Sequence, residues 1–192
     1  MIKLYTIALL CFFLISCVNT PEEIKPTHYT HIKQIKNFTI KGKAAFISPQ
    51  KKESLNFFWQ QKNDQYDIKF TTFMGIEVAH ITGNNRTINI VADGETYTST
   101  QPEQLLNEIT GWDIPLRYLA RWITGNHSGV VLDKHIDINQ PKHVLARINA
   151  EQEWKLEYQA YYPYFKLLLP KKMQLKQYNS RIILSINYWR LD

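Results

Sequence analysis

Asn37-Phe38-Thr39-Ile40-Lys41-Gly42-Lys43-Ala44-Ala45-Phe46 repeats with a period of two. Phe38, Ile40, Gly42, Ala44 and Phe46 fall on one face of an extended chain, and Thr39, Lys41 and Lys43 on the other. Successive side chains of a strand point to opposite faces, so this alternation belongs to a strand half buried against a core. The same rhythm continues outward. After a turn near Ser48-Pro49-Gln50, Leu55, Phe57 and Trp59 share a face. Past Asn63-Asp64, Tyr66, Ile68 and Phe70 alternate with Asp67, Lys69 and Thr71. Further strands are expected over 76–82, 86–92 and 95–99, divided by Gly83-Asn84-Asn85 and Asp93-Gly94, which supply the positive φ of hairpin turns. The pattern is an antiparallel meander with one apolar face.

The period changes after Thr100. Leu105, Leu106 and Ile109 mark a short helix starting near Pro102 and stopping at Gly111. A second helix opens at Pro115, whose fixed φ suits a first turn, carries an apolar stripe of Leu116, Leu119, Ala120 and Ile123, and ends at Gly125. Strands resume over 144–150, 153–160, 173–177 and 181–189, with breaks expected at Asn139-Gln140-Pro141, Pro163 and Leu169-Pro170. Residues 28–36 are expected to form a brief helix leading into the first strand. Roughly ten strands exceed what a flat sheet holds comfortably, so the sheet should curl, with the helices over its mouth and an apolar cavity beneath.

At the other end of the chain, Lys3 precedes a nearly uninterrupted apolar run from Leu4 to Ile15, closed by Ser16 and Cys17. A run of about twelve residues is too short for a helix across a ~30 Å hydrocarbon core and fits the h-region of a secretory signal. The tetrapeptide Leu14-Ile15-Ser16-Cys17 resembles a bacterial lipobox, against the plainer alternative of an ordinary signal peptide with a chance cysteine. The resemblance implies removal of residues 1–16 and acylation of Cys17. It also implies three acyl chains, and at about 0.8 kcal/mol per buried CH₂ two or more anchor stably. By the same resemblance, Val18 stands where an aspartate would signal inner-membrane retention, which implies the outer membrane. Residues 17–27, polar and holding Pro21 and Pro26, read as an acylated N-terminus and extended tether, and 28–192 as a single domain.

The chain has two cysteines, one lost with the signal and one acylated, so stability must come from packing and not from disulfides. Aromatic residues make up 13% of it, which suits a β-rich protein or an apolar pocket. The formal charge of +6, reduced by one when Lys3 leaves, suits anionic lipid or an acidic protein. An exported chain meets no cytoplasmic nucleic acid. The sequons at Asn37, Asn85 and Asn126 are chance matches in such a context.

Motifs for catalysis are missing. Six histidines show no ligand spacing, and no Gly-x-Ser-x-Gly elbow, His-Glu-x-x-His pair or phosphate-cradling loop occurs. Asp133 and Asp137 read as surface charges and not as a carboxylate pair. No enzyme, metal or cofactor is expected.

A series of segments, in order, resembles the outer-membrane lipoprotein receptor family LolB over nearly the whole mature chain. The series is Phe57-Phe58-Trp59-Gln60-Gln61 with Asp64-Gln65-Tyr66, then Gly111, Ile114-Pro115, Leu119, Trp122-Ile123 and Gly125. Trp154-Lys155-Leu156-Glu157-Tyr158, Leu169-Pro170 with Met173 and Leu175, and Arg181-Ile182 through to Trp189 complete it. The resemblance implies an incomplete, half-open antiparallel barrel of about eleven strands capped by helices. Its apolar cavity would receive acylated lipoprotein cargo from the periplasmic carrier LolA and release it into the outer membrane, the receptor acting as a monomer without cofactor. The family's Asn-Pro-Leu-Gly turn corresponds here to Thr72, Phe73, Met74 and Gly75; proline is lost, and Met74 stands for the protruding leucine with Phe73 beside it.

These readings define the candidate sites. Phe73, Met74 and Gly75 form a membrane-inserting loop, although without the resemblance both large residues would be assigned to the core. Ile40, Phe57, Trp59, Ile68 and Phe70 line the cavity, with parity fixing which residues go together but not which face is inward. Leu116, Leu119, Trp122 and Ile123 form the helical lid. An alternative from another class is a lipocalin-like lipoprotein that binds an apolar ligand and delivers it nowhere. A third is a scaffold with a filled core.

Overall fold

The alternating segments pair with one another in the order in which they are read. A computed structural model describes residues 29–150 and 152–192; the signal segment, Cys17, the tether and His28 lie outside the described residues. The strands are β1 (Asn37–Ile47), β2 (Lys52–Lys62), β3 (Gln65–Thr71), β4 (Glu77–Gly83), β5 (Ile88–Ala92) and β6 (Glu95–Ser99). Helices α1 (Pro102–Thr110) and α2 (Leu116–Trp122) follow. The chain then returns as β7 (Val130–Lys134), β8 (Pro141–Arg147), β9 (Glu153–Tyr164), β10 (Leu167–Gln177) and β11 (Ser180–Leu191). They form one eleven-stranded antiparallel sheet in the order β6-β5-β4-β3-β2-β1-β11-β10-β9-β8-β7. β6 and β7 are its edges and do not pair, so the barrel stays open, as expected for a mainly β half-barrel with short helical insertions.

Antiparallel pairing sorts the turns into two ends. The β1–β2, β3–β4 and β10–β11 turns lie at what we call the upper end. The start of β1 and Asp192 lie at the lower end, where the Tyr29 hydroxyl donates to the carbonyl of Asp192 at 2.8 Å. The chain therefore enters the domain from below.

Inward parity on β1 is Phe38, Ile40, Gly42, Ala44 and Phe46, all buried. On β11 the phase shifts. Asn187 is an extra residue opposite the Lys41–Gly42 step, so Ile186 and Trp189 both face inward. Gly42 fits this bulge because a Cβ there would lie 2.1 Å from the Ser185 carbonyl oxygen. α1 ends on Gly111 at φ +73°, a left-handed cap that costs glycine little.

Several sequence expectations need correction. Pro163 and Leu169-Pro170 do not break the sheet; they lie inside β9 and β10. Pro170 sits beside a bulge, with Lys171 extra on β10 and Gln159 extra on β9, while Pro163 lies on the stretch of β9 beyond its pairing with β8, an edge position that proline tolerates. The true turn falls at Phe165, which adopts φ +52°. β7, unforeseen, is short and exposed along its whole length, with no alternation to reveal it. β8 starts and ends about three residues early, β4 starts after Ile76, and β5 starts after the Asn84 turn, whose side-chain oxygen accepts from the amides of Arg86 and Thr87. The helix expected at 28–36 is a single 3₁₀ turn, Ile32–Gln34.

Candidate functional site

The site is built where α1 and α2 cross the concave face. Phe57 and Trp59 on β2, Ile68 and Phe70 on β3, and Leu116, Leu119 and Ile123 from the second helical segment line one cavity. Its lining is apolar throughout, and its volume is about 30 Å³. Such a space holds roughly one water and is far below the ~300–1,000 Å³ of an ordinary ligand pocket. Potentially polar groups nearby are tied off. The Trp59 indole donates to Gln61 Oε1 at 2.9 Å, and Gln61 Nε2 passes on to the Asn63 carbonyl at 2.8 Å.

A second apolar space opens from the first. Phe46, Phe70, Ile81, Leu106 and Ile114 line both the cavity and an adjoining cleft of about 260 Å³. The cleft also carries Val78, Ile109 and Trp112 and reaches the upper end beside the Lys51–Glu53 ion pair. A larger groove, about 530 Å³, lies at the lower end, flanked by Lys36, Asn63, Glu103 and Arg117 with Leu116 and Pro102 among its lining. The upper cleft is distinguished by sharing five apolar residues with the cavity.

Beside that mouth, the β3–β4 turn projects. Thr72 closes it by hydrogen bonds: the Gly75 amide donates to the Thr72 carbonyl at 3.0 Å, the Thr72 amide to the Ile76 carbonyl at 2.8 Å, and the Ile76 amide to Thr72 Oγ1 at 3.2 Å. Asn56 Nδ2 adds a bond to the Thr72 carbonyl at 3.0 Å. Gly75 takes φ +86°, open to glycine at no steric cost. This frame leaves Phe73 87%, Met74 68% and Ile76 59% exposed. Burying one such side chain is worth about 1.5–3 kcal/mol, so their exposure is a standing cost to the free protein.

One expected cavity residue falls elsewhere. Ile40 is buried but outside the cavity lining, held between its cross-strand partners Trp59 and Trp189. Trp122, expected in the lid, is buried in α2 and packs on Tyr118 and on Trp154 of β9, with ring centroids 5.8 Å and 6.1 Å away. Sequence reading missed Leu106, Ile114 and Ile182 as lining residues, and Ile76 as part of the tip. Leu106 was visible as the inward side of α1, whereas Ile76 was indistinguishable from the first residue of a strand.

Three of the histidines have side-chain or carbonyl partners. His80 Nε2 lies 2.9 Å from Asp67 Oδ1, His135 Nε2 lies 2.6 Å from the Tyr158 carbonyl, and His143 Nδ1 lies 3.3 Å from Asp133. Asp133 is held below the usual carboxylate range, first by the Lys134 amide and then by His143 and Lys142. Burial pushes the Tyr66, Tyr158 and Tyr161 hydroxyls well above the ordinary tyrosine value, so all three act as neutral donors.

Comparison with known proteins places this architecture. The family described as "Outer membrane lipoprotein LolB" matches residues 36–189. The outer-membrane lipoprotein LolB of Tolumonas auensis is 32% identical over 161 residues, covering 83% of this chain and 80% of that one. That of Psychromonas ingrahamii is 27% identical over 191 residues, covering 94% of each. Among solved structures, a LolA-superfamily protein from Nitrosomonas europaea superposes with a TM-score of 0.53 at 10% identity, covering 83% of this chain and 87% of that one. A DUF1329-family protein from Desulfovibrio piger gives 0.55 at 7% identity, covering 84% and 88%. The two structural likenesses speak to the fold alone. With most of the described domain inside the family match, the chain belongs to the outer-membrane lipoprotein LolB family.

Proposed function

We propose that this protein is an outer-membrane lipoprotein receptor that accepts acylated lipoproteins from a LolA-type carrier and inserts them into the membrane. One observation carries the reading: an apolar cavity, its apolar mouth and an exposed apolar tip lie at the same end of the sheet. Ligand storage alone gives no use for Phe73, Met74 and Ile76 in solvent. The fold is that of the carrier's superfamily, so carrier and receptor present acyl chains with like surroundings. Transfer then follows a difference in affinity, with each 1.4 kcal/mol worth a factor of ten. A cavity of about 30 Å³ is a closed state, and cargo entry requires α2 to move off the sheet.

Cys17 is the proposed acylation site and mature N-terminus, and the protein faces the periplasm as a lipid-anchored monomer. A Cys17→Ala variant should lose palmitate labelling.

The delivery role is tested by Met74→Glu. The variant should fold, accept cargo from the carrier and retain it, because a charge at the tip resists entry into the acyl region. Transfer of cargo into liposomes at the unmutated rate would exclude the role given to the loop. An apolar fluorescent probe displaced by acylated peptide tests the cavity separately; polar substitutions at Phe57 and Phe70 should abolish both binding and displacement.

A further inference from the structure

The convex face of the sheet carries a charge pattern that acyl-chain binding does not require. β1, β10 and β11 are adjacent, and together they hold seven Lys or Arg and no Asp or Glu. Register sharpens this. Lys52 pairs with Ile47, Ile47 with Arg181, Arg181 with Lys176, and Lys176 with Lys155, so one transverse row runs across five strands. Three of its successive members, Arg181, Lys176 and Lys155, are cations directly opposite one another and exposed. Four residues lower, Lys43 and Lys172 flank Ser185 on the same face.

Like charges facing across strands at about 5 Å destabilise a sheet. Among the described residues, Lys52, Arg181, Lys176, Lys155, Lys43 and Lys172 form no ion pair. Of the nearby acids, Glu53 is engaged by Lys51, Glu77 by Lys69 and Glu153 by Arg147. Glu157, two residues below Lys155 on the same face, accepts from Gln159 and Gln174 and is the one carboxylate beside the row outside an ion pair among the described residues. Asp93 and Glu95 sit at the β5–β6 turn, toward the far edge of the sheet. Cations outnumber acids along the row, and their mutual repulsion is a cost to the fold.

Its position suggests what it meets. The row forms the upper rim of the sheet, at the end that carries Phe73, Met74 and Ile76. We propose that this rim is a headgroup-binding surface for anionic phospholipid, which holds the tip against the bilayer during delivery. The proposal rests on the membrane role given to the tip and adds the class of lipid that the tip requires. The physical division is that of interfacial anchors generally, an apolar insert flanked by basic residues. A single apolar turn makes a weak and unoriented contact. Several cations beside it fix the approach angle, and each contributes roughly fivefold near a charged surface, equivalent to ~1 kcal/mol. An acidic face on the carrier is the competing partner. The lipid is favoured because the row follows the same rim as the apolar tip, Lys52 one strand from β3 and Arg181, Lys176 and Lys155 three to five strands along, so tip and cations can meet one flat surface together.

The acylated full chain, labelled with an environment-sensitive dye through Met74→Cys, is reconstituted into vesicles of phosphatidylcholine alone or with three-tenths phosphatidylglycerol. A blue shift should be several-fold larger with phosphatidylglycerol, fall about fivefold for each of Lys176 and Arg181 changed to Gln, and vanish in 0.5 M salt. The Lys176→Glu and Arg181→Glu pair should abolish it, with circular dichroism confirming the fold of every variant. Equal shifts in both vesicle types, unaffected by the substitutions, would overturn the anionic-rim proposal while leaving the tip's membrane role intact. No shift in either vesicle would overturn the tip role and the rim proposal together. Variants that respond normally to lipid but lose cargo uptake from the carrier would assign the row to the carrier, and the lipid proposal would fall.

Discussion

The Tyr158 hydroxyl donates to the main-chain carbonyl of Trp122 at 2.9 Å, joining the middle of β9 to the last turn of α2. Both residues are buried, and the same carbonyl also accepts from the Gly125 amide at 2.9 Å. This bond fastens the lid to the sheet. Tyr158→Phe should lower unfolding free energy by about 1–2 kcal/mol, the cost of one buried hydrogen bond. Apolar-probe affinity should rise at the same time, because a looser α2 opens the cavity more often. Urea denaturation and probe titration on the same variant check both.

Gly42→Ala tests the bulge. The added methyl would lie 2.1 Å from the Ser185 carbonyl oxygen and 3.0 Å from the Phe57 ring, so β1, β11 or Phe57 has to shift. A destabilisation of about 1–3 kcal/mol is expected from such overpacking. Since Phe57 lines the cavity, probe binding should weaken as well. An unchanged denaturation midpoint would show that the strands separate here without cost.

Ile76 extends the tip beyond the two residues legible in the sequence. Ile76→Glu is expected to block delivery into liposomes as Met74→Glu does, with carrier-to-receptor transfer unchanged. Val91→Glu, at a less exposed apolar position on β5, should leave delivery within twofold of normal. Equal losses from both would mean that any added charge suffices.

Stability should fall as solution pH drops below about 6.5, and His127 should account for part of the fall. Its ring packs on Tyr158 with centroids 6.2 Å apart, and Nδ1 is buried with no partner among the described residues. Burial holds its pKa below the ordinary value and Lys33 adds to this, while a backbone interaction with Gly129 works the other way. The unfolded chain therefore takes up the proton first, near the usual ~6.5. Stability is complete above that value and declines as pH falls through it toward the lower folded value. Melting temperature measured from pH 7.5 to 5 should show a smaller drop for His127→Gln than for the unmutated chain.

Much of this was legible in the sequence where one face of an element is buried and the other wet. Phe38 to Phe46 and Tyr66 to Phe70 revealed strand and parity together, while which face turns inward came from the fold, since alternation groups residues without orienting them. α1 and α2 were legible by their stripe, but the packing partners of Trp122 were not, because helical spacing groups residues to within a turn and cannot say which neighbour each one meets. Pro163 and Pro170 misled because a strand tolerates proline on an unpaired edge, as at Pro163, or beside a bulge, as at Pro170, and neither leaves a mark in periodicity. β7 escaped because an edge strand exposed on both faces has no pattern to show. The cationic row was invisible for a different reason: Arg181, Lys176 and Lys155 are scattered in sequence and meet only through register.

The chain's entry at the lower end, beside Asp192, sets a length problem. Twelve residue steps separate Cys17 from Tyr29, a reach of at most about 40 Å at ~3.3 Å per residue. The eleven residues of β1 span about 35 Å between the two ends of the sheet. With an anchor on Cys17 and the tip in the same bilayer, the leader segment would act as a leash only slightly longer than the body it restrains. Shortening it by six residues should keep the protein membrane-bound and able to take cargo, yet hold the tip clear of the bilayer. Lengthening it should do no harm. The distance between anchor and fold would then be a functional dimension of the molecule, as specific as any side chain.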